Sequence, residues 1–271
     1  MNEWRTKLGG RVAIVGSGQA AWAWGMGLMH AGIHITQVWG RHAGRGRALA
    51  NRLDAEYQSI ANITPVSWEG DVLLLAVADQ AVEKVAAQFE CGIFQHIVHC
   101  CGTLAMEALA VHPRHGLLWP LMNLSQAHEN LLQGVPVLLE ANNEPLREIL
   151  EAWCLDLQAH PLPSTLTQRT SLHLAAVMTA NFNNLLLHWG HRTLKGHGEH
   201  RLLLPILQQQ LRLFAEDPTD PFARQSGPAH RGDIETMNKH LALLEYDPEG
   251  QALYRSLSRL IAQLKSKPGH D

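Results

Sequence analysis

Apolar and polar positions follow two different rhythms along the chain. Up to about residue 160, short apolar runs alternate with helical stretches. The run at 11–15 stops at Gly16-Ser17-Gly18, where a helical pattern covering 19–31 begins, and 33–39 then alternates as a half-buried strand does. A helix over 43–53 and a short strand near 57–60 follow, and 71–77 is so evenly apolar that it reads as a central strand covered on both faces. Next come a helix at 81–89, a strand at 96–100 and a strand-like start at 116–125 broken by Pro120. A strand at 135–140, a helix at 143–154 and a last strand at 156–160 complete this part. Beyond Pro161 and Pro163 only helical periodicity remains, over 167–188, 202–214, 234–244 and 251–264.

Strands alternating with helices predict an open α/β fold, a doubly wound and mostly parallel sheet of Rossmann type, followed by an all-helical domain. The division falls at the prolines, giving 1–162 and 163–271. The glycine turn gives the first half a purpose. In a G-x-G-x-x-A turn between strand and helix, Gly16 turns the chain tightly and Gly18 admits a pyrophosphate to the backbone. Gly16, Ser17, Gly18, Gln19 and Ala20 are thus the expected phosphate cradle, and Ala21 lets the helix pack closely on the sheet. After the second strand, a carboxylate would be expected to accept the ribose hydroxyls of NAD. Here the chain reads Gly40-Arg41-His42-Ala43-Gly44-Arg45. Arg41, with His42 and Arg45 behind it, suits the 2′-phosphate of NADP rather than NAD. The alternative is a solvated basic helix start.

Two later turns end on the same sheet edge. Ala78 and Asp79 follow the central strand, where Asp79 can cap the next helix, line the cofactor crevice, or both. Gly102 and Thr103 follow the strand at 96–100 and are candidate nicotinamide or substrate contacts. On the long helix, His173, Asn181, Asn184 and His188 fall within one quadrant at about 100° per residue. Their neighbours are apolar or small, so the helix is expected to be largely buried and the stripe to need partners. Those partners are either other helices or a substrate carbonyl, imine or carboxylate, held by His173 and Asn181.

With 46% hydrophobic and 17% charged residues and a formal net charge of −3, the composition is that of a soluble protein without a phosphate-neutralising surface. No nucleic-acid or membrane partner is expected, and no secretion signal is read at the N-terminus, which points to a cytoplasmic protein. Cys91, Cys100, Cys101 and Cys154 lack paired zinc spacing and are expected to be reduced thiols. Four H-x-x-H pairs, His96/His99, His112/His115, His188/His191 and His197/His200, have no obvious completing ligand, so no metal is expected.

The segments Ser171-Leu172-His173-Leu174-Ala175-Ala176-Val177, Asn181-Phe182, Gly227-Pro228-Ala229-His230-Arg231-Gly232-Asp233 and His240-Leu241 resemble those of a bacterial family. Its members join a Rossmann-like NADP-binding domain to a helical C-terminal domain of unknown function and are usually labelled NADP oxidoreductases. The resemblance covers nearly the whole chain. It implies a place beside pyrroline-5-carboxylate reductase, ketopantoate reductase and 6-phosphogluconate dehydrogenase, and a homodimer built through the helical domain. Several hydroxyacid dehydrogenases of that superfamily carry a catalytic lysine four residues before an asparagine; here the position before Asn181 is Val177. Valine moves no proton, which leaves His173, one helical turn earlier on the stripe, as the nearby group that can titrate near neutrality. Gly227-Pro228 reads as a turn, Arg231 as an anion ligand or inter-domain ion pair, and Asp233 as a helix cap. Pro120, Asn184 and Arg231 are candidates for the substrate cleft. The expectation is an NADP(H)-dependent oxidoreductase passing hydride to or from a small carbonyl or imine at the inter-domain cleft. The alternative is a non-catalytic NADP(H)-binding sensor or partner protein.

Overall fold

A computed structural model describes residues 10–62, 70–124, 131–194 and 198–266. The α/β half is built from β1 (Arg11–Val15), α1 (Gln19–His30), β2 (His34–Gly40), α2 (Ala43–Arg52), β3 (Glu56–Ser59), β4 (Val72–Leu75), α3 (Val82–Ala86), β5 (His96–His99), β6 (His115–Pro120), β7 (Pro136–Ala141), α4 (Glu144–Asp156) and β8 (His160–Pro163). These strands form one eight-stranded sheet of order β3-β2-β1-β4-β5-β6-β7-β8. Every neighbouring pair is parallel except β6 with β7.

Successive strand residues point to opposite faces, so each central strand supplies two cores. Val12, Ile14, Val72 and Leu74 pack with Trp24 and Leu28 of α1, Leu49 of α2, and Leu150 and Trp153 of α4. Ala13, Val15, Leu73 and Leu75 pack on the other face with Val82, Ala86 and Leu109. That double burial is why the β4 run is apolar throughout rather than alternating.

Two local features differ from the sequence expectation. The last strand is not 156–160. Asp156 still belongs to α4, which ends in a Schellman-type turn with Gln158 in the left-handed region (φ 55°) and Ala159 N–H donating to Cys154 O at 2.8 Å. The strand starts after that turn and includes both prolines. It can do so because β8 lies at the sheet edge: His160 and Ser164 N–H groups bond to Val135 O and Leu139 O of the β7 side, while Pro161 and Pro163 occupy the alternate positions, where no ladder donor is needed.

Beyond β8 lie α5 (Leu166–Ala176), a π-helical turn (Val177–Asn181), α6 (Phe182–Thr193), α7 (Leu204–Glu216), the single-turn α8 (Pro228–Arg231), α9 (Ile234–Leu243) and α10 (Pro248–Lys265). A capping box starts α5, with the Thr165 side chain accepting from Gln168 N–H and the Gln168 side chain accepting from Thr165 N–H. The expected continuous helix is therefore broken by a wider turn, and a wheel drawn at one fixed angle does not hold across it. Nor is it buried: Leu174 is 62% exposed, Met178 58% and Phe182 52%. Apolar sequence on several sides signals surface that wants covering, and the chain alone does not cover it here.

By compactness the chain divides at residue 180 into units Met1–Ala180 and Asn181–Asp271, so α5 belongs with the sheet although it follows the last strand. The second unit is fastened by side chains at its helix ends. Asp233 caps α9 through Thr236 N–H, as expected, and Asp247 caps α10 through Gly250 N–H. Among the described residues, no helix is long and apolar enough to cross a membrane.

Candidate cofactor and active site

The glycine turn has the geometry its sequence asks for. Gly16 adopts φ +128°, and a Cβ built on it would lie 2.1 Å from the carbonyl oxygen of Ala76, the residue following β4. The approach is fixed by two bonds, Gly16 N–H to Trp39 O at 2.7 Å and Ala76 N–H to Val15 O at 2.8 Å. Gly18 differs: it is the N-cap of α1 at φ −85°, and a Cβ there would meet nothing within 4 Å. The protein does not need glycine at 18 for its own packing. A ligand lying against the backbone would need it. The N-cap of α1 is Gly18, which offers no side-chain cap, and a helix N-terminus directs its N–H groups and positive dipole end outward, where they suit an anion. Ala21 is fully buried under the sheet.

Parallel strands bring the other turns to the same edge. Gly40 closes β2 beside the glycine turn, since a Cβ built on it would stand 3.8 Å from Ser17 Oγ. Arg41, His42 and Arg45 follow with exposed side chains, and among the described residues no carboxylate pairs with them. Arg47, one turn into α2, instead covers the Tyr57 ring at 5.7 Å.

At the end of β4, Asp79 does not cap the helix. A 3₁₀ turn (Asp79–Ala81) intervenes, and Ala81 holds the N-cap position of α3. The Asp79 carboxylate accepts from Thr103 Oγ1 at 3.1 Å, tying the turn after β4 to the turn after β5. The capping role is thus replaced by a bond between two turns.

The turn after β5 is held more elaborately than the sequence suggests. His99, fully buried, accepts from Cys101 N–H at Nδ1 (3.1 Å) and faces Ala105 O with Nε2 (3.3 Å), so the proton sits on Nε2. Burial holds its pKa far below the ordinary value, at about 4. Burial, with help from the Asp79 carboxylate, pushes the Cys101 thiol up, so it is no thiolate at neutral pH. Arg169 of α5, also fully buried, donates from Nε to Gly102 O (3.2 Å), from Nη2 to Leu104 O (3.2 Å) and from Nη1 to Glu140 and Ser164 Oγ. Gly102 itself backs onto the Trp119 indole, which a Cβ at 102 would overlap at 2.4 Å. Trp119 in turn lies against the His173 ring, centroids 5.9 Å apart and tilted by 50°.

The first unit therefore gathers Gly16, Ser17, Gly18, Gln19, Ala20, Arg41, His42, Ala78, Asp79, Gly102, Thr103 and Pro120 at one sheet edge, with His173 joined to them through Trp119. Asn181, Asn184 and Arg231 belong to the second unit. There Arg231 stands 4.0 Å from Asp233 of its own loop, an ion pair within the motif. Of the H-x-x-H histidines, His115 Nδ1 lies 2.7 Å from His112 O and His188 meets the Trp189 ring edge to face, while His197 lies outside the described residues. Arg169, Glu140 and His99 were not singled out by the sequence reading as site residues. The one available signal is an arginine four residues before His173, one turn away on the same helix face.

Residues 11–98 match the family described as NADP oxidoreductase coenzyme F420-dependent, and residues 135–261 match the domain of unknown function DUF2520. The chain joins an NADP oxidoreductase domain to a DUF2520 domain. No curated protein matches it. Among solved structures it is similar to a Bacteroides fragilis protein to which NADP oxidoreductase activity is attributed, with 27% identity, TM-score 0.82 and coverage of 93% of this chain and 98% of that one. A Thermotoga maritima protein follows at 19% identity and TM-score 0.71, covering 94% and 100%. The 1-pyrroline-5-carboxylate reductase of Streptococcus pyogenes shares the fold at 18% identity and TM-score 0.57, covering 94% and 97%. Because the DUF2520 match begins before β7, the Arg169 to Gly102 bond runs from the DUF2520 part to the turn just beyond the NADP oxidoreductase match.

Proposed function

We propose that this protein is an NADP(H)-dependent oxidoreductase that moves hydride to or from a small carbonyl or imine substrate taken up between its two domains. The observation that carries the reading is the pairing of a turn whose Gly18 has room for a ligand with an exposed Arg41 at the next strand end, which no carboxylate pairs among the described residues. NADPH, when bound, supplies the hydride. The N–H groups at the start of α1 hold the pyrophosphate, and Arg41, backed by His42 and Arg45, holds the 2′-phosphate. The turns at Ala78-Asp79 and Gly102-Thr103 flank the nicotinamide. His173, exposed yet oriented by Trp119, gives a proton to the substrate oxygen or nitrogen as hydride reaches its carbon, and Asn181 orients that same atom.

Titration of NADPH and NADH against the wild type and Arg41→Ala by nucleotide fluorescence tests the cofactor half. Loss of a charge-assisted bond to phosphate should weaken NADPH about 10- to 100-fold and leave NADH unchanged. Equal weakening of both would remove Arg41 from the 2′-phosphate. A screen of keto acids, aldehydes and imines for NADPH consumption tests the chemistry. On any hit, His173→Ala should lower kcat by about 100-fold or more with NADPH affinity intact. Full turnover in that variant would leave His173 a structural role.

A homodimer through the helical domain would cover the exposed apolar side chains, including Leu202 (74% exposed), Leu211 (70%) and Leu243 (83%). Sedimentation velocity should give a dimer mass at micromolar concentration. A monomer at all concentrations would leave that surface without this explanation.

A further inference from the structure

The turn after β5 is gripped by α5 at two places one helical turn apart. Residues four apart share a helix face. Arg169 grips through hydrogen bonds to Gly102 O and Leu104 O, and His173 through Trp119, whose indole rests on Gly102. From the strand side His99 closes the same turn between Cys101 and Ala105.

We propose that Arg169 is a positioning residue: by fastening the Gly102–Leu104 carbonyls to α5 it sets where the His173 imidazole stands relative to the turn that flanks the reacting atoms. The proposal rests on the oxidoreductase reading for its functional meaning, while the geometric part stands without it.

Three features favour positioning over bulk stability. A fully buried guanidinium gives up its hydration, and apolar residues of similar volume usually stabilise a core as well or better. Its partners here are the carbonyls of Gly102 and Leu104 in one turn, the Glu140 carboxylate near the end of β7 and the hydroxyl of Ser164, so one planar group fixes three separate segments at defined angles. Lysine could neutralise Glu140 but could not span both carbonyls. Finally, the charge reaches the site only through another residue, since Trp119 lies between the gripped turn and His173. A proton donor misplaced by about 1 Å loses on the order of 100-fold in rate, which is the sensitivity such bracing would protect.

The test uses the full chain with Arg169→Met, and Arg169→Lys should the methionine variant fail to fold. Without any nucleotide, proton NMR should show the wild-type His173 ring signal, assigned by its disappearance in His173→Asn, displaced by the Trp119 ring current. The displacement should be lost in the Arg169 variant. NADPH affinity should stay within about 3-fold, and kcat on a substrate found in the screen should fall about 30- to 100-fold with its pH profile altered. A His173 signal that is undisplaced in the wild type, or unchanged in the variant, overturns the proposal. So does an NADPH affinity that falls as far as kcat, which would make Arg169 part of the cofactor site. Failure of the wild type to bind NADPH would instead overturn the oxidoreductase reading, because the NMR comparison needs no cofactor.

Discussion

Replacing Gly16 by alanine should destabilise the first unit by about 4 kcal/mol or more and abolish NADPH binding. The size follows from two costs that cannot be relaxed together. The backbone sits at φ +128°, which an L-residue with a Cβ rarely adopts, and the new methyl would be 2.1 Å from the Ala76 carbonyl oxygen. Strain of that kind costs about 1–3 kcal/mol before any clash. Relief by shifting Ala76 would break the bond from its N–H to Val15 O and pull β4 from β1 at the centre of the sheet. Gly18→Ala is the matching control. Its φ is −85° and its added methyl meets no protein atom, so its melting temperature should stay at the wild-type value while NADPH affinity falls at least 10-fold. A Gly16→Ala protein with wild-type stability would contradict the packing argument. A Gly18→Ala protein with unchanged affinity would contradict the pyrophosphate placement.

The contrast between these two glycines shows what a sequence can and cannot disclose. G-x-G marks the turn by its glycines, yet only the one at 16 is required by the protein's own packing. At 16 the excluding partner is Ala76, sixty residues away and adjacent only through sheet order, and no local pattern names it. The sheet edge was legible because apolar runs ending in turns place Arg41, Asp79 and Gly102 at strand ends whatever the exact register. The side chains that hold the edge in shape were not. Arg169 is one polar residue among several on α5, and two of its partners are backbone carbonyls, which carry no sequence signature. Asp79 had a capping pattern, but a 3₁₀ turn of three residues moved it out of register and gave its carboxylate to Thr103. The helical half was legible in kind and not in burial. Leu174 and Phe182 look like core by composition, and only the assembled chain shows them uncovered.

Stability should fall by about 3 kcal/mol between pH 6.5 and pH 4, and His99 should account for most of the fall. The buried ring is held neutral with a pKa of about 4, against 6.5 for the ordinary side chain. Between those values the unfolded chain binds a proton that the folded chain refuses, so ΔG of unfolding drops by about 1.4 kcal/mol per pH unit as pH is lowered. Above pH 6.5 both states are neutral at this position and no slope remains. His96, lowered chiefly by its own burial, adds in the same direction. The cap carboxylate of Asp233, held low by the Thr236 bonds, and Glu144, held low by Arg147, act in the same direction, but only at the acid end of this window, as pH falls into the ordinary carboxylate range. The refused proton would have to land on Nδ1, the atom that accepts from Cys101 N–H, placing two donors face to face in the turn that Arg169 grips from the other side. His99→Asn keeps an acceptor near that N–H and cannot charge. Urea unfolding at pH 7.5, 6 and 5 should therefore give a wild-type slope that is largely absent in His99→Asn, although the variant starts from a lower stability because it loses the bond to Ala105 O. An unchanged slope in the variant would assign the acid sensitivity to other histidines and would free the turn after β5 from any proton-linked constraint.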